Sequence, residues 1–352
     1  MVIRFGLLLI SFASLSACIS HSPEIQSLCF RDDIGNYIIK WETTPQIDGT
    51  IKLFVSDTPD QFNKSKSAGY ANIQDGITKY VTDDNITRKY FMLSFNDKYF
   101  KTVASRPVVM DSIQNFRDLG GYASTDNGKS IHWGKVFRSG KIGEISERDS
   151  TRLDGLKIKT IIDLRTNEEV TASPIGYKNA NIVHIPIPIK NISDLVNRLA
   201  EGRIRKGDGI LFMQDLYLQY VTENKEEFSK ALSILEDENN YPVIIHCTIG
   251  KDRIGFMTAM LLSILDIPEE TIYQDYTSTN DYLDLKRYSH LVSQLNYDGQ
   301  EALTAMLTAN ESFIDLAFAK IRKDYGSIDK YLKNELHISE KQQERIKEIL
   351  LL

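Results

Sequence analysis

His246-Cys247-Thr248-Ile249-Gly250-Lys251-Asp252-Arg253-Ile254-Gly255 follows the apolar run Pro242-Val243-Ile244-Ile245 and opens a second one, residues 254–265, with neither proline nor charge. The first run predicts a buried strand and the second a helix. A strand, a tight loop and a helix N-terminus in that order gather free backbone N–H groups around one point. Such a nest attracts a phosphate dianion, and the helix macrodipole adds to the attraction. A thiol at its mouth is favoured as thiolate, the form that acts as a nucleophile. Arg253 can hold two phosphate oxygens in a bidentate fork. The stretch therefore predicts a phosphate trap with Cys247 at its floor and residues 248–253 around the anion: Thr248, Ile249, Gly250, Lys251, Asp252 and Arg253.

Cys247 and Arg253 match the Cys-x5-Arg signature of the protein tyrosine phosphatase superfamily. The fuller His-Cys-x-x-Gly-Lys-Asp-Arg resembles its bacterial subfamily, whose members overlap phosphoinositide phosphatases in activity. The spacing alone is a weak signal, but three upstream blocks resemble that subfamily in its own order. They are Asn115-Phe116-Arg117-Asp118-Leu119-Gly120-Gly121-Tyr122, Phe137-Arg138-Ser139-Gly140 and Ile161-Ile162-Asp163-Leu164-Arg165. The resemblance covers residues 108–352. It implies an α/β phosphatase domain, a central sheet flanked by helices with a phosphate-binding loop; the six scattered histidines, with no His-x3-His or Cys-x2-Cys spacing, suggest no metal site, and no cofactor is expected. It also implies hydrolysis of phosphotyrosine protein through a phosphocysteine, with phosphoserine, phosphothreonine and phosphoinositide as wider substrates.

Within that chemistry Cys247 is the nucleophile and Arg253 the transition-state clamp. The proton for the leaving group has two candidate sources. Asp252, inside the loop, comes first; its alternative is a salt bridge propping the loop. Asp163 comes second, at a strand end facing the same crevice, unless Arg165 or Arg117 takes it into a structural pair. His246 is read either as a group orienting the loop and favouring the thiolate or as a core histidine. Lys251 either adds charge to the pocket or faces solvent. Arg117 and Asp118 are expected to form supporting ion pairs beneath the site. One departure from the family pattern is Ile254, where Ser or Thr usually follows the Arg and stabilises the departing thiolate. A phosphate-binding module with impaired turnover is the alternative function.

The 352 residues, 42% hydrophobic and 26% charged, suffice for two domains. A net charge of -6 without a basic stripe argues against a nucleic-acid partner. Met1-Val2-Ile3-Arg4, the apolar residues 5–12 and Leu15-Ser16-Ala17-Cys18 read as a signal peptide, residues 1–17, ending in a lipobox-like sequence. Cys18 is then the lipidation site, and the chain an exported bacterial lipoprotein anchored by lipid to a membrane, periplasmic or cell-surface. With Cys18 and Cys247 assigned, Cys29 is left as a small buried hydrophobe. Residues 18–23 form a linker. In residues 24–107, short β-branched and aromatic runs (Tyr37-Ile38-Ile39-Lys40-Trp41, Ile51-Lys52-Leu53-Phe54-Val55) separated by turn residues predict a small all-β sandwich resembling a fibronectin type III module. Arg106-Pro107 is the predicted seam. The polar residues 191–209 are expected to be a surface loop or a segment facing substrate.

Overall fold

The computed structural model describes residues 22–126 and 128–352; the predicted signal segment and Cys18 lie outside them. Strands β1 (Glu24–Arg31), β2 (Tyr37–Thr44), β3 (Thr50–Ser56), β4 (Gly69–Asn72), β5 (Ile77–Tyr80), β6 (Tyr90–Phe95) and β7 (Tyr99–Ala104) form two antiparallel sheets, ordered β1-β2-β5 and β4-β3-β6-β7. Alternation explains the first: β2 buries Tyr37, Ile39 and Trp41 and exposes Lys40 and Glu42. Central β6 is buried along its whole length. The two inner faces meet in one core that includes Trp41, Leu53, Phe91, Leu93 and Phe95. This is the all-β sandwich. Trp133, from beyond the predicted seam, joins the same core and donates its indole N–H to Thr102 O at 3.2 Å.

The second part is the expected α/β domain, a central sheet flanked by helices. Its strands are β8 (Arg117–Asp118), β9 (Val136–Ser139), β10 (Thr160–Asp163), β11 (Asn181–His184) and β12 (Val243–His246), in the order β11-β10-β12-β9-β8. All neighbours run parallel except β8 on β9. The register sets Asp163 beside His246 and His246 beside Ser139, so the carboxyl ends of three strands share one level. The loop leaving β12 emerges there, where open parallel sheets place their ligands.

The helices are, in chain order, α1 (Glu147–Gly155), α2 (Asn167–Ala172), α3 (Ile192–Ala200), α4 (Asp208–Thr222), α5 (Lys225–Ser233) and α6 (Asp252–Ile264). After them come α7 (Glu269–Thr277), α8 (Thr279–Tyr282), α9 (Ser289–Ser293), α10 (Tyr297–Leu307), α11 (Glu311–Tyr325), α12 (Ile328–Asn334) and α13 (Glu340–Leu350). The uniformly apolar sequence of α6 matches its position: it is buried nearly all round, against α4, α5, α7, α12 and α13.

Two local expectations are corrected. Residues 191–209 are not simply a polar loop. They contain α3, whose Ile192, Leu195, Val196 and Leu199 follow helical spacing, with Leu195 packed against Ile204 and Ala302. Residues 183–187 read as a strand of the central sheet by their apolar content, but pairing covers only Asn181–His184; Ile185 and Ile187 are apolar because they are buried, not because they are in the ladder.

Candidate active site

The loop after β12 closes around a sulfur. Cys247 is 3% exposed, and the Gly250 amide donates to its Sγ at 3.3 Å. Gly250 sits at φ 78°, and a Cβ there would come within 2.5 Å of the Ser139 carbonyl carbon. Only glycine fits that approach. The loop's carbonyls are held outward: Asn115 Nδ2 donates to Gly250 O at 2.9 Å and Ile249 O at 3.2 Å, and Arg138 Nη2 donates to Gly250 O at 2.8 Å. With the carbonyls turned away, the amides are free to face the anion site.

Those anchors belong to a buried network. Arg117 donates to Asn115 Oδ1 and, through Nε, to Asp275 Oδ1 at 3.2 Å. Arg138 pairs with the other oxygen of Asp275, and Tyr122 donates its hydroxyl to Asp275 Oδ1 at 3.0 Å. Burial alone would raise the Asp275 pKa, but Arg117 and Arg138 hold it well below the usual carboxylate range. Burial, reinforced by neighbouring Arg138, pulls Arg117 down to about 10. Removing one member of such a network leaves an uncompensated buried charge, at a cost of about 3–5 kcal/mol. Asp275, 158 residues from Arg117 in sequence, is not among the predicted site residues. Its one signal is an acid between the buried Ile272 and Tyr276 on α7.

A second unpredicted carboxylate aims the clamp. Arg253 donates Nη1 to Glu169 Oε2 at 2.6 Å and Nη2 to Glu169 Oε1 at 2.8 Å. Thr248 Oγ1 also donates to Oε1. Glu169 occupies the third position of α2, where it completes a capping box with Thr166, whose amide donates to Oε2 at 2.8 Å. Although burial opposes it, the hydrogen bond and charge of Arg253 lower Glu169 to about 2, so it stays a carboxylate. Thr166-x-x-Glu169 is legible as a helix start; its meeting with Arg253 is not.

Cys247, Thr248, Ile249, Lys251, Asp252 and Arg253 line one cavity of about 250 Å3. Gly250 reaches it through its amide on Cys247. Asp252 lies in this wall, accepts from the Tyr217 hydroxyl at 3.2 Å and pairs with Lys251 Nζ at 2.8 Å, so the salt bridge named as the alternative to its acid role is present alongside its place in the cavity. Lys251 does not face solvent: it is fully buried, with Nζ 3.3 Å from Thr308 O. Asp163 does not join these residues. Its carboxylate is taken by Arg165 at 2.8 Å in a fully buried pair, 3.4 Å from His246 Nε2. Burial works against ionisation there, yet His246 and Arg165 keep Asp163 well below the usual range, so it has no proton to donate near neutrality. Burial pushes His246 below its ordinary value, against the opposing pull of the Asp163 carboxylate. Arg117 and Asp118 both form the expected ion pairs: Arg117 with Asp275, one contact from the loop through Asn115, and Asp118 with Arg88 at 2.7 Å, a pair that touches no loop residue directly.

The upper walls of the cavity are apolar: Ile189, Ile192, Phe212, Leu216, Leu303 and Met306, from the approach to α3, α3 itself, α4 and α10. The arrangement can therefore receive a phosphate on loop amides and Arg253, present a sulfur to its phosphorus, and bury the rest of the ester against hydrocarbon.

Among known proteins, a family model described as "Tyrosine phosphatase family" matches residues 108–352. A candidate tyrosine-protein phosphatase of Cupriavidus necator is 26% identical over 235 residues, 66% of this chain and 84% of that protein. The triple specificity protein phosphatase PtpB of Mycobacterium tuberculosis is 25% identical over 273 residues, 67% of this chain and 96% of that protein. The crystal structure of P. aeruginosa TpbA aligns over 53% of this chain and 96% of its own, at 14% identity and a TM-score of 0.24.

Proposed function

The chain belongs to the tyrosine phosphatase family and is a cysteine phosphatase, and on that premise we propose that it hydrolyses phosphotyrosine through a phosphocysteine. The Cys247 thiolate attacks phosphorus in line as the P–O bond to the substrate breaks. Asp252 gives its proton to the leaving oxygen. Water then attacks the phosphocysteine, its proton passes to Asp252, and the P–S bond breaks to return thiolate and release inorganic phosphate. Charge on the equatorial oxygens is met by the loop amides and Arg253.

The observation that carries this reading is that one cavity of about 250 Å3 gathers Cys247, Arg253 and Asp252 together with a hydrocarbon wall. An aryl ring gains from those walls. An inositol ring would bring hydroxyls to them, each costing about 1–3 kcal/mol if left unpaired. Phosphotyrosine is therefore the favoured substrate, ahead of phosphoserine, phosphothreonine and phosphoinositide. Cys18, as the lipidated residue, would hold the enzyme at a membrane.

The test is phosphate release by the chain lacking residues 1–18 on phosphotyrosine peptides, phosphoserine peptides and phosphoinositides, beside Cys247→Ser. Release greatest from phosphotyrosine and abolished in Cys247→Ser is expected. Faster release from phosphoinositide would overturn the substrate assignment. Ile254, buried where the family usually carries a hydroxyl, supports one second reading, a module that binds phosphate but turns over poorly. A stable phosphocysteine without phosphate release would favour it.

A further inference from the structure

The family match begins at residue 108, yet the support of the phosphate loop extends beyond it into the β-sandwich. Arg88, just before β6, lies with its guanidinium 4.8 Å from the Tyr90 ring centroid and 5.6 Å from that of Phe137. It donates Nη1 to Asp118 Oδ2 at 2.7 Å and Nη2 to Ser105 O at 2.9 Å. The pair is buried on both sides, with side chains 7% and 0% exposed. Asp118 also accepts from the Gly120 and Gly134 amides, each at 2.7 Å, so its carboxylate fixes the turn after β8 and the approach to β9.

Two short routes lead from there to Gly250 O. Asp118 adjoins Arg117 in β8, Arg117 holds Asn115, and Asn115 donates to Gly250 O at 2.9 Å. On the other route Arg106 donates to Asp118 O at 2.9 Å and stacks 3.6 Å from the centroid of Tyr122. Tyr122 donates to Asp275, whose partner Arg138 reaches Gly250 O at 2.8 Å. Trp133, seated in the sandwich core, leaves little room for one part to move without the other. Close-packed interiors transmit strain rather than absorb it.

We propose that the β-sandwich is a working part of the phosphate site, with Arg88 a positioning residue that, through Asp118 and β8, holds the Gly250 carbonyl turned away from the anion. Nothing in Arg88 touches substrate; it acts on the direction of the loop amides. This rests on the phosphatase reading only for its kinetic readout.

The experiment compares Arg88→Gln, Arg88→Lys and Tyr90→Phe with the parent, all in the chain lacking residues 1–18. Tyr90→Phe removes a hydroxyl 3.3 Å from Arg88 and leaves the Asp118 contact intact. Three quantities are read at a temperature where each variant is folded: kcat per Cys247, vanadate affinity, and the pH midpoint of Cys247 alkylation, corrected by Cys247→Ser. Displacement of catalytic groups by about 1 Å can cost about a hundredfold. Arg88→Gln is therefore expected to lose about tenfold to a hundredfold in kcat and in vanadate affinity, with its alkylation midpoint moved to higher pH. Arg88→Lys, which keeps the charge on Asp118, should recover part of each loss, and Tyr90→Phe should match the parent.

A merely structural Arg88 would lower thermal stability and leave all three quantities unchanged, and that result overturns the proposal. If Arg88→Gln does not fold, Arg88→Lys decides: parental values in all three overturn it. A parent that releases no phosphate defeats the phosphatase reading instead, while vanadate and alkylation still report on Arg88.

Discussion

Replacing Glu169 by alanine removes the carboxylate that aims Arg253, and its consequence can be worked from the contacts. Glu169 accepts from Arg253 at 2.6 and 2.8 Å and from the Thr166 amide at 2.8 Å, with its side chain 28% exposed. Hydrogen bonds to charged groups contribute about 1.5–3 kcal/mol each, and partial exposure discounts the pair to roughly the value of one. If that is lost from the orientation Arg253 needs in the transition state, at about 1.4 kcal/mol per tenfold, kcat/KM falls roughly tenfold to a hundredfold. The broken capping box removes about 1 kcal/mol of stability besides. The assay is kcat/KM on a phosphotyrosine peptide, with thermal unfolding in parallel and the double variant with Arg253→Lys. Because Glu169 acts through Arg253, Glu169→Ala should cost little in the Arg253→Lys background, a coupling a double-mutant cycle detects. Loss of stability with kcat/KM unchanged would refute the reasoning. So would a rise in kcat/KM, since it would mean that Glu169 holds the guanidinium away from phosphate.

Three more outcomes are expected. Asp252→Asn should lower kcat on phosphotyrosine by about 10²–10⁴-fold, the usual scale of general acid catalysis, and lower it far less on 4-nitrophenyl phosphate, whose leaving group needs no proton; equal losses on both would remove Asp252 from that role. Ile254→Thr should raise the steady-state rate relative to the burst, by supplying a hydroxyl for the departing thiolate, while its buried site loses stability of about 1 kcal/mol; an unchanged ratio in rapid-quench kinetics would count against it. Asp163, Glu169 and Asp275 are all held below their unfolded pKa values, so the stability they contribute is fully present above about pH 4.5 and lost as pH falls. For Glu169 the loss runs from its unfolded value of 4.5 down to about 2. Urea midpoints should therefore drop below pH 4.5, less steeply in Asp163→Asn; a midpoint flat between pH 6 and 3 would contradict the pairing.

Sequence alone determined the parts of this protein that depend on local order. A buried strand, a tight loop and an apolar helix must place Cys247, the amides after it and Arg253 around one point, because that geometry spans only a few residues. The alternation in β2 likewise specifies a two-faced sheet whatever surrounds it. The helical spacing of Ile192, Leu195, Val196 and Leu199 is equally present, but the surrounding polar residues conceal it. What the tertiary structure decided is which charges meet. Asp252 and Asp163 are both plausible acids in the sequence; the register of β10 against β12 carries Asp163 onto Arg165 and His246, away from the cavity, while the first turn of α6 puts Asp252 on the cavity wall, paired there with Lys251. Glu169 reaches Arg253 across 84 residues, and Asp275 reaches Arg117 across 158. The sandwich meets the loop's supports through Arg88 and Trp133. Such pairs have no sequence spacing to betray them, because their attraction matters only after folding has removed the water that would otherwise screen each charge.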